Sequence, residues 1–289
     1  MEKILLTGGK GFFCSRLAAH FKNDFEFLIT GKQELDITDE AAVMKTVTNF
    51  RPNIIIHAGA VAVTEFCEKN PGLAHKINVE AAQYVARAAK SVGAKMVFIS
   101  TEQVFNGNEN AGPFSEEDEA VPNTVYGANK LLAEELVKEI IHELWIVRFS
   151  WLFGLPERHC TMSNGILWET MTKIMKNEQI IASKREFRGM TYVYDMIEKF
   201  PQLFQIPFGT YHLGSNNHLS RYEIVKGIFM QLGLEHRMGE LLVEDTVKYQ
   251  EHPRDVRLNT NKVKELGIEF KDTEEAIQKC MQEFRLKLG

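Results

Sequence analysis

Cysteine is scarce in this chain, and what there is stands far apart. Cys14, Cys67, Cys160 and Cys280 form no C-x-x-C pair, which argues against a disulfide framework or a zinc site and fits free thiols in a reducing compartment. A basic surplus is lacking too. With 34 Lys and Arg against 39 Asp and Glu, the net charge is −5, so neither nucleic acid nor an anionic membrane finds an electrostatic footprint. Long apolar runs are missing: "IIIHAGAVAV" is far too short to span a bilayer, and "MEKILLTGG" carries no apolar core before a cleavage site, so a cytoplasmic location is expected. There is no internal repeat, low-complexity tract or flexible linker. What is present is ordinary globular composition, 44% hydrophobic and 25% charged over 289 residues. That length holds one large domain or two small ones, and the charge balance points to a small-molecule ligand.

Short apolar runs alternate with helical patterns through the first half. "KILLTG" (3–8), "FEFLITG" (25–31), "NIIIHAG" (53–59), "KMVFIST" (95–101) and "LWIVRFS" (144–150) predict strands whose near-continuous hydrophobicity implies burial on both faces. Between them, residues 11–23, 38–50, 71–92 and 124–141 carry apolar positions three and four apart and predict helices. Thr38 is the expected cap of the second helix, with Asp39 and Glu40 in its first turn, and Gly93 the stop of the third. The fold class is therefore α/β, a doubly wound, Rossmann-like parallel sheet. After Ser150 the rhythm breaks into a loop-rich stretch (151–165), a helix (166–177) and mixed short elements. Residues 1–150 are expected to bind NAD(P), and 151–289 to form a smaller substrate-binding region, partly interleaved with the first.

"TGGKGFF" stands at the first strand-to-helix turn, where backbone N–H groups and the helix dipole converge on a phosphate. Gly8 and Gly11 allow the tight turn and close approach. Lys10, Phe12 and Phe13 complete the expected loop contacts, and Cys14 takes the place of a third, packing glycine. No G-K-[ST] closes the loop, so it is not a Walker motif. At the end of the second strand Thr30, Gly31 and Lys32 place no carboxylate where NAD would present its ribose 2′-hydroxyl; this leaves NADP or NAD, with NADPH slightly favoured. Asp36 and Ile37 are expected beside the adenine.

Chemistry is expected at the carboxyl edge of the fourth strand. Tyr126 and Lys130 are spaced i, i+4 on one helical face, beside Thr101 at the strand end. A buried ammonium near the phenol is expected to lower the tyrosine pKa and make it a proton donor and acceptor, while Thr101 holds the substrate oxygen. Each residue alone has an ordinary structural explanation; their joint placement favours a site.

A glycine loop after strand one, Thr101 after strand four and Y-x-x-x-K on the next helix resemble the pattern of the short-chain dehydrogenase/reductases. Within them "LDITD", "RPNIIIHAGAVAVTEFCEKNP", "INVEAAQYVARAAKSVGAKMVFISTEQVFNG", "YGANKLLAEE" and "VRFSWLFG" resemble the extended, nucleotide-sugar branch, and most of all the dTDP-4-dehydrorhamnose reductase family. The resemblance implies that Thr101, Tyr126 and Lys130 are catalytic, that Ala58, Gly59 and Ala60 line the nicotinamide side together with Tyr126 and Lys130, and that Glu102 and Trp151 lie near the sugar beside Thr101. It also implies a nucleotide-sugar substrate and, as a family trait, a homodimer; the residues themselves show no metal cage, so no metal is expected. "STEQVFNG" departs from the family's S-T-D-Y-V-F-D-G at Glu102, Gln103 and Asn106, and His57 replaces a more usual Asn. "FRGMTYVYDM" and "HPRDVRLNTNKVKELGIEF" are more like sugar epimerases. The expected activity is NAD(P)H-dependent reduction of a 4-keto-6-deoxy nucleotide sugar. The alternatives are a nucleotide-sugar epimerase or dehydratase, disfavoured by the about 140 residues left after Ser150, and a non-catalytic NADP-binding regulatory subunit.

Overall fold

The structure is a computed structural model describing residues 1–163 and 165–286. Asn164, in the stretch read as loop, and residues 287–289, at the end of the stretch expected to bind substrate, lie outside the described residues. The five apolar runs form β1 (Glu2–Thr7), β2 (Phe25–Thr30), β3 (Ile54–His57), β4 (Lys95–Thr101) and β5 (Leu144–Phe149). Four short strands follow, β6 (Trp151–Phe153), β7 (Ile180–Ala182), β8 (Glu186–Phe187) and β9 (Met190–Tyr192), before β10 (Gly209–Leu213). The main sheet is six-stranded and parallel, in the order β10-β5-β4-β3-β1-β2. It is the doubly wound, Rossmann-like arrangement expected, with its sixth strand drawn from beyond Ser150.

The helices up to residue 231 are α1 (Phe12–His20), α2 (Glu40–Phe50), α3 (Thr64–Lys69), α4 (Pro71–His75), α5 (Ala81–Val92), α6 (Val125–Ile140), α7 (Ile166–Met175), α8 (Val193–Lys199) and α9 (Arg221–Gln231), and α10 (Met238–Leu241), α11 (Asn261–Glu265) and α12 (Thr273–Glu283) follow. Alternate strand residues feed two cores. Leu6, Val97 and Val147 pack with Phe13 and Leu17 of α1 and with the second half of the chain; Leu5, Met96 and Ile146 pack with Val43, Val85 and Val137 of α2, α5 and α6. Burial on both faces is why these strands read as continuous apolar runs.

Two local expectations are corrected. Asp39, rather than Thr38, caps α2: its side chain accepts from the Ala42 N–H at 3.0 Å. Thr38 instead is held by Asp36, through its N–H at 2.9 Å and its hydroxyl at 2.7 Å. The helix expected over 71–92 is interrupted by a π turn, Lys76–Glu80. Within that turn the buried Asn78 amide clamps Val61, accepting from its N–H at 2.8 Å and donating to its carbonyl at 3.0 Å. A side chain committed to a neighbouring loop is a physical reason for the widened turn. Gly93 ends α5 at φ 69°, as expected.

Candidate active site

At the topological switch between β1 and β3 the site is made of backbone. Gly8 adopts φ 68°, and a Cβ on it would lie 2.7 Å from Ala58 and Gly59 backbone atoms; glycine is what lets the loop rest against the Ala58–Ala60 segment. Ile37 closes the same corner, its Cδ1 2.9 Å from where a Gly59 Cβ would stand. Gly11 is the N-cap of α1 and makes no side-chain cap bond, so the first-turn N–H groups of Phe12 and Phe13 lack intrahelical partners and face the loop. Phe13 offers only that N–H, because its ring is buried edge-on to Phe149 at 5.2 Å and Phe200 at 4.9 Å. Cys14 is fully buried, which pushes its thiol up to about 12 and makes it a packing residue.

The end of β2 differs from expectation. A carboxylate does reach it: Glu34 accepts from the Gly31 N–H at 2.9 Å and pairs with Lys10, so Lys10 is turned toward a carboxylate. The signal was the distance along the chain, since Glu34 comes back through a turn rather than standing on the strand end. Asp36 is exposed and bound to Thr38.

The second group lies where β4 meets α6. Thr101 ends β4 and accepts from the Gln103 N–H at 3.2 Å, opening a short 3₁₀ turn, Glu102–Phe105. Thr124 caps α6, accepting from the Gly127 N–H at 3.1 Å, and Glu68 of α3 accepts from the Val125 N–H at 2.8 Å. Gly127 sets the approach of the helix, for a Cβ there would meet the Gln103 carbonyl oxygen at 2.6 Å. Tyr126 and Lys130 are both buried, and the Lys130 amine stands 3.9 Å from the centre of the Phe98 ring.

Their protonation differs from expectation. Burial raises the Tyr126 pKa above the ordinary phenol value and Glu102 raises it further, against a hydrogen bond from Thr101 that pulls down. Burial also pushes the Lys130 amine down to about 7, with Glu134 opposing. Desolvation of both groups outweighs the mutual stabilisation expected from their spacing. His57, at the end of β3, meets the Thr7 hydroxyl through Nδ1 at 2.7 Å and stacks on Phe98. Burial and then Lys130 push it down to about 3, so it is neutral.

A third group joins Glu102 and Trp151, both expected near the sugar, to arginines that were not read from the sequence. Buried Glu102 pairs with Arg188, whose guanidinium lies 4.5 Å from the Trp151 ring centre. Arg221 lies over the same ring at 5.7 Å and pairs with Glu186 at 3.6 Å and Glu169 at 3.2 Å. Arg254 donates to Glu186 at 2.8 Å and to the side-chain Oδ1 of Asn106 at 2.6 Å. Arg188 Nε is buried without a hydrogen-bond partner among the described residues. Glu102 and Asn106, two positions that depart from the family's strand-four pattern, are thus the ones bound by arginines of the second half. Spread over residues 102–254, the group has no spacing that a sequence pattern could capture. Among the described residues no group of His, Cys, Asp and Glu could hold a metal, and no helix is long and apolar enough to cross a membrane.

A family model described as RmlD substrate binding domain matches residues 1–286. The Bacillus subtilis spore coat polysaccharide biosynthesis protein SpsK is 30% identical over 285 residues, covering 98% of each chain. The bovine methionine adenosyltransferase 2 subunit beta is 25% identical, with 92% of this chain and 83% of that one covered. Among solved structures, dTDP-4-dehydrorhamnose reductase from Bacillus anthracis in complex with NADP is similar at a TM-score of 0.86 and 27% identity, covering 98% of this chain and 99% of that one.

Proposed function

The chain belongs to the RmlD substrate binding domain family, and from that premise we propose that it reduces the keto group of a 4-keto-6-deoxy nucleotide sugar, with a nicotinamide dinucleotide as cofactor and Tyr126 as proton donor. The observation that carries this reading is the convergence of Thr101, Tyr126 and Lys130 at the β4 edge, next along the sheet to the Gly8 cradle at β1 and β3.

The residues present fit a dinucleotide. Gly8 lets the loop lie against the Ala58 and Gly59 backbone, where a Cβ would collide, and the N–H groups at the start of α1, which have no intrahelical partners, supply donors for a pyrophosphate. Gly8, Gly11, Phe12 and Phe13 would hold the pyrophosphate through backbone, Asp36 and Ile37 would flank the adenine, and Ala58, Gly59 and Ala60 would line the nicotinamide side. Lys10 and Glu34 stand together where the adenosine ribose would lie. A cation for a 2′-phosphate and a carboxylate for a 2′-hydroxyl are both at hand, so either NADP or NAD fits. When bound, the cofactor supplies the hydride.

This chain's part is geometry and a proton. The Thr101 hydroxyl orients the substrate carbonyl oxygen, and Tyr126 Oη gives that oxygen its proton. Because burial and Glu102 hold the phenol in its protonated form, Tyr126 enters the reaction loaded, which suits reduction. Lys130 would bind ribose hydroxyls beside it. Glu102 and Trp151 line the sugar side, and Arg188, Arg221 and Arg254 bring guanidinium groups there, the donor type that suits the diphosphate of a nucleotide sugar.

The test is purified protein with NADPH or NADH and a panel of 4-keto-6-deoxy sugar nucleotides, followed by loss of reduced-nicotinamide absorbance and by product analysis. Oxidation of the cofactor with matching sugar reduction is expected. Sugar conversion without cofactor consumption would replace this reading with an epimerase. Likeness to a methionine adenosyltransferase subunit favours a second reading, a binding subunit; cofactor binding with no turnover on any sugar would select it.

A further inference from the structure

Glu134 lies one helical turn beyond Lys130 on α6, and its buried carboxylate joins the elements that carry the site. Oε1 accepts from the Ser100 hydroxyl at 2.5 Å, and Ser100 immediately precedes Thr101 on β4. The Arg148 guanidinium of β5 grips both carboxylate oxygens, through Nε at 3.0 and 3.2 Å and through a terminal nitrogen at 2.7 Å. Ser100, Arg148 and His212 are register partners across β4, β5 and β10. His212 Nε2 stands 3.4 Å from Arg148, while its Nδ1 faces the Phe114 and Asn259 carbonyls at 3.1 and 3.3 Å. Those acceptors place the proton on Nδ1. Burial, then Arg148, pushes His212 down to about 3, so the row holds one neutral ring and one ion pair.

Stability alone is a weak reason for such a pair. Glu134 and Arg148 are 1% and 6% exposed, and a buried ion pair is commonly no more stable than apolar residues of the same volume. Its position is more informative. Among the described residues, the charged or titratable groups that bear on Lys130 are Glu134 from its own helix and the neutral His57 from β3; Tyr126 precedes it by one turn on α6, β4 offers the Phe98 ring, and Glu102 beyond β4 faces Tyr126.

We propose that Glu134 is a positioning residue for Lys130: locked between Ser100 and Arg148, it fixes the α6 turn bearing Tyr126 and Lys130 against the strand end bearing Thr101, and keeps a negative charge one turn from the Lys130 amine. The consequence for turnover rests on the reductase reading; the consequence for the amine does not. Removing the Glu134 charge lets burial lower the proton affinity of Lys130 further, so the amine loses its proton at lower pH and the alkaline limb of activity moves the same way.

The test uses Glu134→Gln, Glu134→Asp and the double variant Glu134→Gln with Arg148→Met, which removes the orphaned guanidinium that would threaten folding. In the full chain without substrate, the Lys130 amine is titrated by NMR after isotopic methylation, with Lys130→Met to assign its signal. A wild-type midpoint near 7 is expected, lowered by about one pH unit, or tenfold in proton affinity, in the double variant and restored by Glu134→Asp. The alkaline limb of kcat/KM is expected to fall by the same amount. An unchanged Lys130 titration, or a kcat loss uniform across pH, would overturn the proposal. Should no sugar be turned over by the wild-type chain, the reductase reading fails while the titration still decides the role of Glu134.

Discussion

Beside Tyr126, Lys130 is buried over an aromatic ring and its amine falls to about 7. At the Trp151 end, Arg188, Arg221 and Arg254 are also largely buried, yet each is held by a carboxylate. The difference follows from the side chains. An ammonium sheds its proton when desolvated, whereas a guanidinium stays charged and must find partners. One end of the site is thus suited to moving a proton and the other to holding a fixed anionic charge. Burial lowers proton affinity at both ends, at Arg188 as well as at Lys130, but only the amine is brought down to about 7.

The largest effect that would sharpen this contrast is Tyr126→Phe. It should lower kcat by about 10²- to 10⁴-fold with little change in cofactor affinity, measured by steady-state kinetics and dinucleotide titration; near wild-type turnover would remove Tyr126 from the proton path. Arg188→Ala comes next. It leaves Glu102 buried without its partner and should raise KM for the nucleotide sugar on the order of 30-fold or more, with the dinucleotide Kd nearly unchanged. An equal loss of cofactor affinity would break the division between the two ends. Cys14→Gly should be smallest: a loss of about 1–2 kcal/mol in thermal or denaturant unfolding, from a helical glycine and a small cavity, with cofactor affinity within about a few-fold. A large change in cofactor affinity would mean Cys14 does more than pack.

How well the site reads from sequence depends on how local its parts are. The Gly8 turn, the Thr101 strand end and the Tyr126–Lys130 pair each sit within one strand–turn–helix unit, so spacing along the chain is nearly spacing in the site. Glu34 escaped because a turn carries it back to Gly31, and the π turn at Lys76–Glu80 because its cause, the Asn78 clamp on Val61, lies 17 residues away. Acidity escaped for another reason. The i, i+4 spacing predicts that Tyr126 and Lys130 share a face; it carries no information on how much water remains around them, and desolvation decides the direction of both shifts.

The sequence by itself determined the parallel sheet, through strands apolar on both faces, and the glycine that the first turn requires, because hydrophobic period and backbone freedom are properties of short segments. Only the tertiary structure decided that Arg188 and Arg254 meet Glu102 and Asn106, that Glu134 is caught between Ser100 and Arg148, and that Tyr126 keeps its proton. Those outcomes depend on charges and burial contributed by elements far apart in the chain, which meet only when the sheet closes over them.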